Sequence, residues 1–280
     1  MSSTEADVER LAGAILHEAA TPAIAPVDVD AVAQRLGLAV RRTRIAGPVH
    51  GLLRLEGGRP TVVVDSGLQR ARARFTVAHE IGHWVLARHP QLVREVWSAQ
   101  PWLREPERFC DRFAEALLLP SQWVRPQLLA MRPSLDALVW LAQTADVSLT
   151  AASVRAARIA RWRRTLLRLA FGRQRWEIVA VTGYLRPRWR EGVALTPQAA
   201  QRLGRLRGEL RDRDEDTFKP APIEQTLWMS LIVDRVASDV HVELRMARSS
   251  AVLLANLTRR GAPRPSVEAA TLGDRAHSST

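Results

Sequence analysis

Residues 76–84 read TVAHEIGHW, and this segment constrains the chain more than any other feature because it places two histidines four residues apart. In a helix, residues at that spacing lie one above the other, so His79 and His83 direct their imidazoles to one point and can bind one zinc ion. Glu80 lies on the adjacent strip, where its carboxylate can take a proton from metal-bound water during attack on a carbonyl. The pattern predicts a metal-dependent hydrolase, with Zn²⁺ expected and Mn²⁺ or Fe²⁺ as alternatives.

The surroundings of the two histidines favour a site over coincidence. The motif lies in the middle of a long predicted helix, and Val77, Ile81 and Val85 give that helix an apolar face to bury. The alternative is a pair of histidines that are merely packed or solvated. Because a catalytic zinc takes three protein ligands and leaves the fourth position to water, one more ligand is expected elsewhere in the chain.

Two residues compete for the role of third ligand, and the first is His89. It lies ten residues after His79, which is the spacing of the third histidine in metzincins. That arrangement requires a glycine three residues after the second histidine, and Leu86 stands there. His89 is therefore better explained as a surface histidine that precedes the helix-ending Pro90.

The second competitor is Glu107, which is followed four residues later by Asp111 on the same face of a predicted helix. Glu107 would complete a set of two histidines and one carboxylate. Asp111 would accept a hydrogen bond from the far nitrogen of a ligand histidine and so fix its tautomer. The alternative is a pair of exposed carboxylates on an amphipathic helix.

Periodicity and caps predict that residues 1–170 form a mostly helical core with a small sheet. Residues 5–19 have a helical stripe, and a second helix lies between Asp28 as N-cap and Gly37 as a left-handed stop. Two strand-like runs, 51–55 and 61–64, are joined by a glycine turn and predict a β-hairpin.

Serines and prolines predict where the later helices begin and end. One helix is expected from Ser66 to about residue 87, followed by an irregular segment over residues 91–104. The next is expected over residues 107–118. Further helical segments are expected as far as about residue 169, with three serines as caps: Ser121, Ser134 and Ser148.

The pattern changes after Gly172, where β-type runs replace helical ones. Residues 171–260 are expected to form a smaller α+β region of unknown role. Residues 261–280 are small, polar and proline-containing, and they are expected to be a flexible tail. The predicted fold class is therefore α+β, with a helical zincin-like core, a small sheet or hairpin and a smaller C-terminal α+β region.

The net charge of +12 comes almost entirely from arginine, since Lys219 is the only lysine. Residues 155–190 contain eleven arginines and one acidic residue, Glu177. Such a cluster is typical of a surface that binds phosphate backbones or an acidic protein, and equally of a solvated helix face.

Cysteine usage and hydropathy predict a cytoplasmic protein that does not enter a membrane. Cys110 is the only cysteine, which excludes an internal disulfide framework and agrees with a reducing compartment. Its neighbours Phe109 and Phe113 predict a small buried side chain rather than a nucleophile. Acidic residues precede the first apolar run, and no stretch reaches the ~20 apolar residues of a membrane helix.

Two segments together resemble the ImmA/IrrE family of metallopeptidases: RFTVAHEIGHWVL at residues 74–86 and ERFCDRFAEALLLP at residues 107–120. The preceding hairpin and the helices around DVSLTAASVRAARI are also similar, so the resemblance covers about residues 25–160. The sequence departs from the family pattern at Cys110, where alanine is usual, and at Leu119, where methionine is usual. The last hundred residues match no pattern that we can name.

The resemblance implies a gluzincin-like site. His79, His83 and Glu107 would be the metal ligands, Glu80 the base and Asp111 the hydrogen-bond partner of a ligand histidine. It also implies an endopeptidase that cleaves a specific protein, a DNA-binding transcriptional repressor, in a regulatory or stress-response circuit.

Other functions remain open from the residues themselves. The metal site could serve a regulatory protein that binds a repressor or nucleic acid through its arginine-rich segment without cutting it. Two histidines and one carboxylate also suit ferrous iron in an oxidative enzyme, although Glu80 argues for hydrolysis. A peptide substrate could add a strand along the hairpin edge. For stabilising an oxyanion, Tyr184 is remote in sequence and His50 is a weak candidate.

Overall fold

A computed structural model describes residues 6–99, 104–172, 175–183, 193–209, 223–233, 236–246 and 250–255. The chain has an α+β fold, as predicted. Within these ranges it consists of a mostly helical unit with a three-stranded sheet, followed by a six-stranded antiparallel sheet with one helix. The three-stranded sheet and the helices next to it position the site.

The chain begins with two short helices, α1 (Ala6–Glu18) and α2 (Val29–Arg35). The Asp28 side chain accepts a hydrogen bond from the Ala31 N–H at 3.0 Å, so Asp28 is the N-cap of α2. Gly37 follows this helix with a φ of 81°, a left-handed conformation that favours glycine. Both predicted helices and their boundary residues are confirmed.

The small sheet consists of β1 (Ala39–Thr43), β2 (Gly51–Glu56) and β3 (Arg59–Asp65) in the order β1-β3-β2. Strands β2 and β3 form the predicted hairpin. Strand β1 pairs parallel to β3 and was not predicted. Its sequence AVRRT is short and charged, so its strand conformation depends on pairing with β3 rather than on its own pattern.

Helix α3 (Arg70–Arg88) carries the histidine motif, and it begins later than predicted. Ser66 is not its cap, because the N-cap is Gln69 and makes no side-chain hydrogen bond to the helix. The preceding turn is held instead by Asp65, whose Oδ1 accepts from the Gly67 N–H at 3.1 Å. This local bond delays the start of the helix by a few residues.

The segment expected to be irregular contains a helix, α4 (Pro90–Ala99). Pro90 ends α3 but also begins α4, since proline fits the first turn of a helix. Val93 and Val96 of α4 are buried in the core, so packing stabilises this short helix.

Four further helices complete this unit: α5 (Pro106–Leu118), α6 (Ser121–Leu129), α7 (Leu135–Ala145) and α8 (Leu149–Ile159). Ser134 and Ser148 cap α7 and α8 as predicted, each accepting from a backbone N–H at 3.1 Å. Ser121 is not a cap, because Pro120 occupies the N-cap position of α6.

The helical pattern ends at Ile159, earlier than the predicted limit near residue 169, because β4 (Thr165–Gly172) follows. The other elements are β5 (Arg175–Gly183), β6 (Val193–Leu195), α9 (Pro197–Glu209), β7 (Ile223–Val233), β8 (Val236–Met246) and β9 (Ser250–Ala255). The sheet order is β5-β4-β9-β8-β7-β6. The β-type pattern predicted after residue 172 is confirmed. The proposed domain boundary at residue 170 falls inside β4, and residues 261–280 lie outside the described part of the chain.

The two faces of the large sheet belong to different hydrophobic cores. Leu166, Val252 and Leu254 pack with the helical unit, whereas Leu167 and Leu253 pack in a second core that includes residues of α9. Alternate side chains of a strand point to opposite faces, which explains this division.

A buried ion pair ties the first helix to the eighth. Arg155 of α8 is only 2% exposed and donates to both carboxylate oxygens of Glu9, at 2.5 and 2.8 Å. It also donates to the Leu119 carbonyl at the end of α5. This arrangement fixes α5, the helix that carries Glu107, against its neighbours.

Among the described residues no single helix is long and apolar enough to cross a membrane. Helices α7 and α8 meet the length and composition test only when taken together, across a bend of 111°.

Candidate active site

Helices α3 and α5 pack closely side by side, and a glycine allows their approach. Gly82 of α3 lies against Cys110 of α5, where a Cβ on Gly82 would be 3.0 Å from the Cys110 Cα. Glycine in the middle of a helix costs about 1 kcal/mol relative to alanine, so close packing is the reason to place it there. This contact brings the second predicted segment to the first.

The predicted metal ligands lie together between these helices. The imidazole centroids of His79 and His83 are 5.0 Å apart with an interplanar angle of 64°. The Glu107 carboxylate lies against both rings, with Oε2 3.1 Å from His79 Nε2 and Oε1 3.3 Å from His83 Nε2. One carboxylate therefore faces the same nitrogen of both histidines.

Asp111 orients His79 from the other side of its ring. Its Oδ1 is 3.0 Å from His79 Nδ1, which leaves Nε2 to face Glu107 and His83. Burial acts to lower the pKa of His79, but the hydrogen bond and charge of Asp111, together with the charges of Glu80 and Glu107, raise that pKa above its ordinary value. Burial lowers the pKa of His83.

Glu80 is set apart from the other carboxylates by its burial. It is 6% exposed, and the Leu53 backbone of β2 hydrogen-bonds its carboxylate. Burial raises the pKa of Glu80, and the nearby Glu107 charge adds to this effect. A carboxylate with a raised pKa beside a pair of imidazoles is suited to accept and return a proton.

Cys110 is fully buried, as predicted, but it also lies closer to the histidines than the sequence indicated. One donor atom from each of His79, His83 and Cys110 can be chosen so that all three lie within 4.8 Å of one another. Burial raises the pKa of the Cys110 thiol, so the thiol form is favoured. Both Glu107 and Cys110 thus lie close enough to the two histidines to be the third ligand.

Glu107 is the better of the two. Its two oxygens contact Nε2 of His79 and Nε2 of His83, at 3.1 and 3.3 Å, and Asp111 turns the first of these nitrogens toward the site. It is also exposed to solvent, so its charge costs little to maintain, whereas a thiolate at the position of Cys110 would be desolvated. Two imidazole nitrogens and one carboxylate fit a catalytic zinc ion.

A cleft of about 720 Å³ lies between α3, α5 and the edge strand β2, and it is lined by the five predicted site residues: His79, Glu80, His83, Glu107 and Asp111. Three cleft residues of α3 were not predicted: Arg72, Phe75 and Thr76. They lie seven, four and three residues before His79, respectively, and therefore on the same helix face. The helical period alone could have identified them. His50 lines the cleft as well. Tyr184 lies outside the described residues.

The glycine at the start of β2 allows that strand to approach the catalytic helix. A Cβ on Gly51 would be 2.3 Å from Thr76 Cγ2 and 3.4 Å from Glu80 Oε1. Gly51 therefore determines how closely the strand edge lies to the base.

His89 is not among the cleft residues. It forms the C-cap of α3, its ring lies 5.3 Å from that of Trp84, and its Nε2 is 3.7 Å from Glu18 Oε2. The structure thus separates His89 from the other two histidines and brings Glu107 to them.

The arginine-rich segment is only partly available to a partner. Arg155 is bound to Glu9, and Arg158 is bound to Glu115. Arg161, Arg163 and Arg168 are exposed or nearly so. Several of the remaining arginines lie outside the described residues.

Part of the chain is similar to known metallopeptidases. Residues 33–157 match the family model described as the IrrE N-terminal-like domain, of peptidase family M78. The radiation response metalloproteases IrrE of Deinococcus radiodurans and Deinococcus deserti are each 33% identical to this chain over 94 residues, or 32% of its length. That stretch covers 29% and 34% of those relatives, respectively, so the similarity concerns about a third of their length.

Solved structures with a similar overall fold include one regulatory protein. A Mycobacterium tuberculosis transcriptional regulator superposes with a TM-score of 0.54 at 13% sequence identity, covering 89% of this chain and 75% of that chain. At this identity the similarity concerns the fold alone.

Proposed function

We propose that this chain, which belongs to the ImmA/IrrE family of metallopeptidases through its residues 33–157, is a zinc-dependent endopeptidase that cleaves a specific protein. In this proposal the metal ligands are His79, His83 and Glu107. The observation that carries the proposal is the position of the Glu107 carboxylate, which faces the Nε2 atoms of both histidines at 3.1 and 3.3 Å.

When bound, the zinc ion supplies a Lewis acid that polarises the substrate carbonyl and lowers the pKa of water. Glu80 accepts a proton from the attacking water, and its raised pKa allows it to return that proton to the leaving amine. Asp111 holds His79 by its Nδ1, so that the Nε2 lone pair stays directed into the cleft. Leu53 holds the Glu80 carboxylate next to the strand edge.

Strand β2 offers a surface for the substrate backbone. The His50 carbonyl accepts from the Asp65 N–H of β3, so residues of even number in β2 bond to β3. Gly51, Leu53 and Leu55 therefore direct their backbone groups away from β3, toward an edge that no other strand covers in the described part of the chain. The Leu53 N–H already donates to Glu80, so the other backbone groups of this edge are those that can pair with a substrate. An extended peptide can pair with this edge and place a peptide bond beside Glu80.

The substrate that we propose is a DNA-binding transcriptional repressor. This choice rests on the resemblance to the ImmA/IrrE family, whose members relieve repression by cleaving such proteins. An extended, accessible segment of a repressor would meet the requirement for strand addition at β2.

The test uses the full chain, loaded with zinc, and a repressor encoded next to its gene. We expect two fragments from the repressor with the wild type. We expect none with Glu80→Gln, which should still bind one zinc ion by metal analysis, and none with His83→Ala, which should bind much less zinc. Glu95→Gln on α4, at an exposed position outside the cleft, is the matched control and should cleave normally. Cleavage by Glu80→Gln at the wild-type rate would overturn the assignment of the base.

A further inference from the structure

The first two turns of α3 contain three arginines in the sequence RARARF, and these arginines have different contacts. Arg70 pairs with Asp146 at 2.6 Å. Arg74 donates to the Val27 carbonyl at 2.8 Å and also contacts Asp146. Both are thus engaged with other parts of the fold.

Arg72 lies on another face of the helix, and it lines the catalytic cleft. Its side chain is exposed, and the structure shows no carboxylate within ion-pair distance of it among the described residues. Its guanidinium carbon lies 5.9 Å from the centroid of Phe75, a cation–π contact that holds the side chain over the cleft wall. Phe75 in turn lies 6.3 Å from the His79 ring, so an unbroken row of side chains connects Arg72 to the metal ligands.

The charge of the cleft is divided between its two ends. Arg72 lies seven residues before His79 on α3, whereas Glu107 and Asp111 contact the His79 ring directly. The acidic end is the part that a divalent cation would neutralise. The positive charge of Arg72 is then left facing the substrate path.

We infer that Arg72 is a specificity-determining residue, which binds an acidic side chain of the substrate about three residues from the scissile bond. Residues 72 and 79 are seven apart in one helix, which corresponds to about 10.5 Å along its axis at 1.5 Å per residue. An extended peptide advances about 3.3 Å per residue, so this length corresponds to about three substrate residues. Arg72 can pair with a carboxylate of aspartate or glutamate at that distance.

This inference rests on the proposed function, and it names a class of substrate segment for the same cleft. An extended segment with one acidic residue on one side of the cut would pair its backbone with β2 and its carboxylate with Arg72. The ion pair selects the segment, and the strand edge binds it irrespective of its other side chains.

Cleavage specificity gives the first test. A proteome-derived peptide library is incubated with the zinc-loaded full chain, and the cut positions are read by mass spectrometry, with Glu80→Gln as the background. We expect aspartate and glutamate to be enriched at one position about three residues from the cut, on one side only. With Arg72→Glu, lysine and arginine should replace them at that position. Cuts without any acidic preference would overturn the inference and leave the proposed peptidase activity standing.

Binding gives a second test that does not depend on cleavage. Fluorescein-labelled decapeptides that differ by Asp, Ala or Lys at the selected position are titrated with Glu80→Gln carrying zinc. If the library yields no cut, Asp or Lys is instead placed at each position in turn of one alanine-based decapeptide, and the unsubstituted peptide serves as the Ala reference. The Asp peptide should bind about fivefold more tightly than the Ala peptide, the scale of one partly exposed ion pair, and this preference should fall in high salt.

The matched control for binding is Arg70→Glu, which changes the same charge on the same helix but outside the cleft. It should keep the preference for Asp, whereas Arg72→Glu should reverse it in favour of Lys. Equal affinity for all three peptides in the protein with Arg72 intact would overturn the inference. An absence of cuts from the library would count against the peptidase function, whereas the role of Arg72 is decided by the titration.

Discussion

Gly82 of α3 and Cys110 of α5 are in backbone contact, since a Cβ on Gly82 would lie 3.0, 3.1 and 3.2 Å from three atoms of Cys110. These are the atoms Cα, Cβ and Sγ. The nearest of them belongs to the main chain, so it cannot rotate away. The contact fixes the distance between the helix that carries the two histidines and the helix that carries Glu107.

Gly82→Ala should therefore separate α3 from α5 and weaken the site. We expect a loss of about 1–3 kcal/mol in unfolding free energy, as for other overpacked cores, and a lower zinc affinity. Urea unfolding and zinc titration measure the two effects. Gly13→Ala in α1 is the matched control, because nothing lies within 4 Å of its new Cβ and alanine is the better helix former. Equal stability of the two variants would contradict the role of the Gly82 contact.

Asp111→Asn should reduce zinc affinity by about 10–100-fold, because it removes the carboxylate that holds His79 Nδ1. The zinc-binding curve should also shift to lower pH. Asp111 raises the pKa of His79, so without it protons compete with zinc only at more acidic pH. Competition with a chromophoric chelator between pH 5.5 and 8.5 measures both effects.

The same substitution tests whether protonation of His79 makes the stability of the metal-free protein depend on pH. The pKa of His79 is raised in the folded state. Protonation of His79 therefore stabilises the fold, fully so below the ordinary pKa of 6.5. This stabilisation is lost as the pH rises through the raised pKa. Asp111→Asn should thus destabilise the protein more at pH 5.5 than at pH 8.5. Urea unfolding in the presence of a chelator measures the difference, and a pH-independent difference would contradict the assignment.

Two substitutions decide between Glu107 and Cys110 as the third ligand. Glu107→Gln should bind zinc much more weakly and lose cleavage, because the charged oxygen donor is gone. Cys110→Ala should keep one zinc ion and its activity, with only the modest loss of stability expected for a small cavity. Cobalt substitution provides a spectroscopic check, since a sulfur ligand produces an intense charge-transfer band in the near ultraviolet. Such a band in the wild type, absent from Cys110→Ala, would assign the sulfur as a ligand.

Gly51→Ala should move the edge strand away from the base and reduce cleavage. The new Cβ would lie 2.3 Å from Thr76 Cγ2, in a helix where the Thr76 hydroxyl is held by the Arg72 carbonyl at 3.0 Å. Thr76→Ser removes the methyl group and keeps the hydroxyl, so the double variant should recover part of the activity. The carbonyl of Val63, 3.2 Å from the new Cβ, limits that recovery. Kinetics of the two single variants and the double variant give the coupling, and additive losses would contradict this explanation.

Much of the local structure followed from short patterns. Asp28, Ser134 and Ser148 are the caps that the sequence predicted, because each has a side-chain oxygen that accepts from the N–H three residues later. Ser66 and Ser121 carry the same oxygen but are not caps. Before α3 the turn is held by the Asp65 carboxylate, and before α6 the N-cap position is occupied by Pro120. A prediction made from the serines alone does not take these neighbouring residues into account.

The elements that were missed depend on contacts distant in sequence. Strand β1 forms because β3 pairs with it, α4 because its valines reach the core, and β4 because β5 and β9 lie on both sides of it. None of these three segments has a periodicity strong enough to define it alone. Burial and pairing supply the stabilisation, and these become visible only in the folded chain.

The sequence by itself determined the placement of the two histidines of HEIGH, because a spacing of four residues in a helix brings two imidazoles to one side whatever surrounds them. It also indicated Glu107 and Asp111 by the same period, without showing how far they lie from His79. Only the tertiary structure decided that Glu107 rather than His89 meets both histidines, and that Arg72 rather than Arg70 or Arg74 faces the cleft. The physical reason is that these relations depend on how closely two helices and a strand can pack, and the two glycines at positions 51 and 82 set that distance.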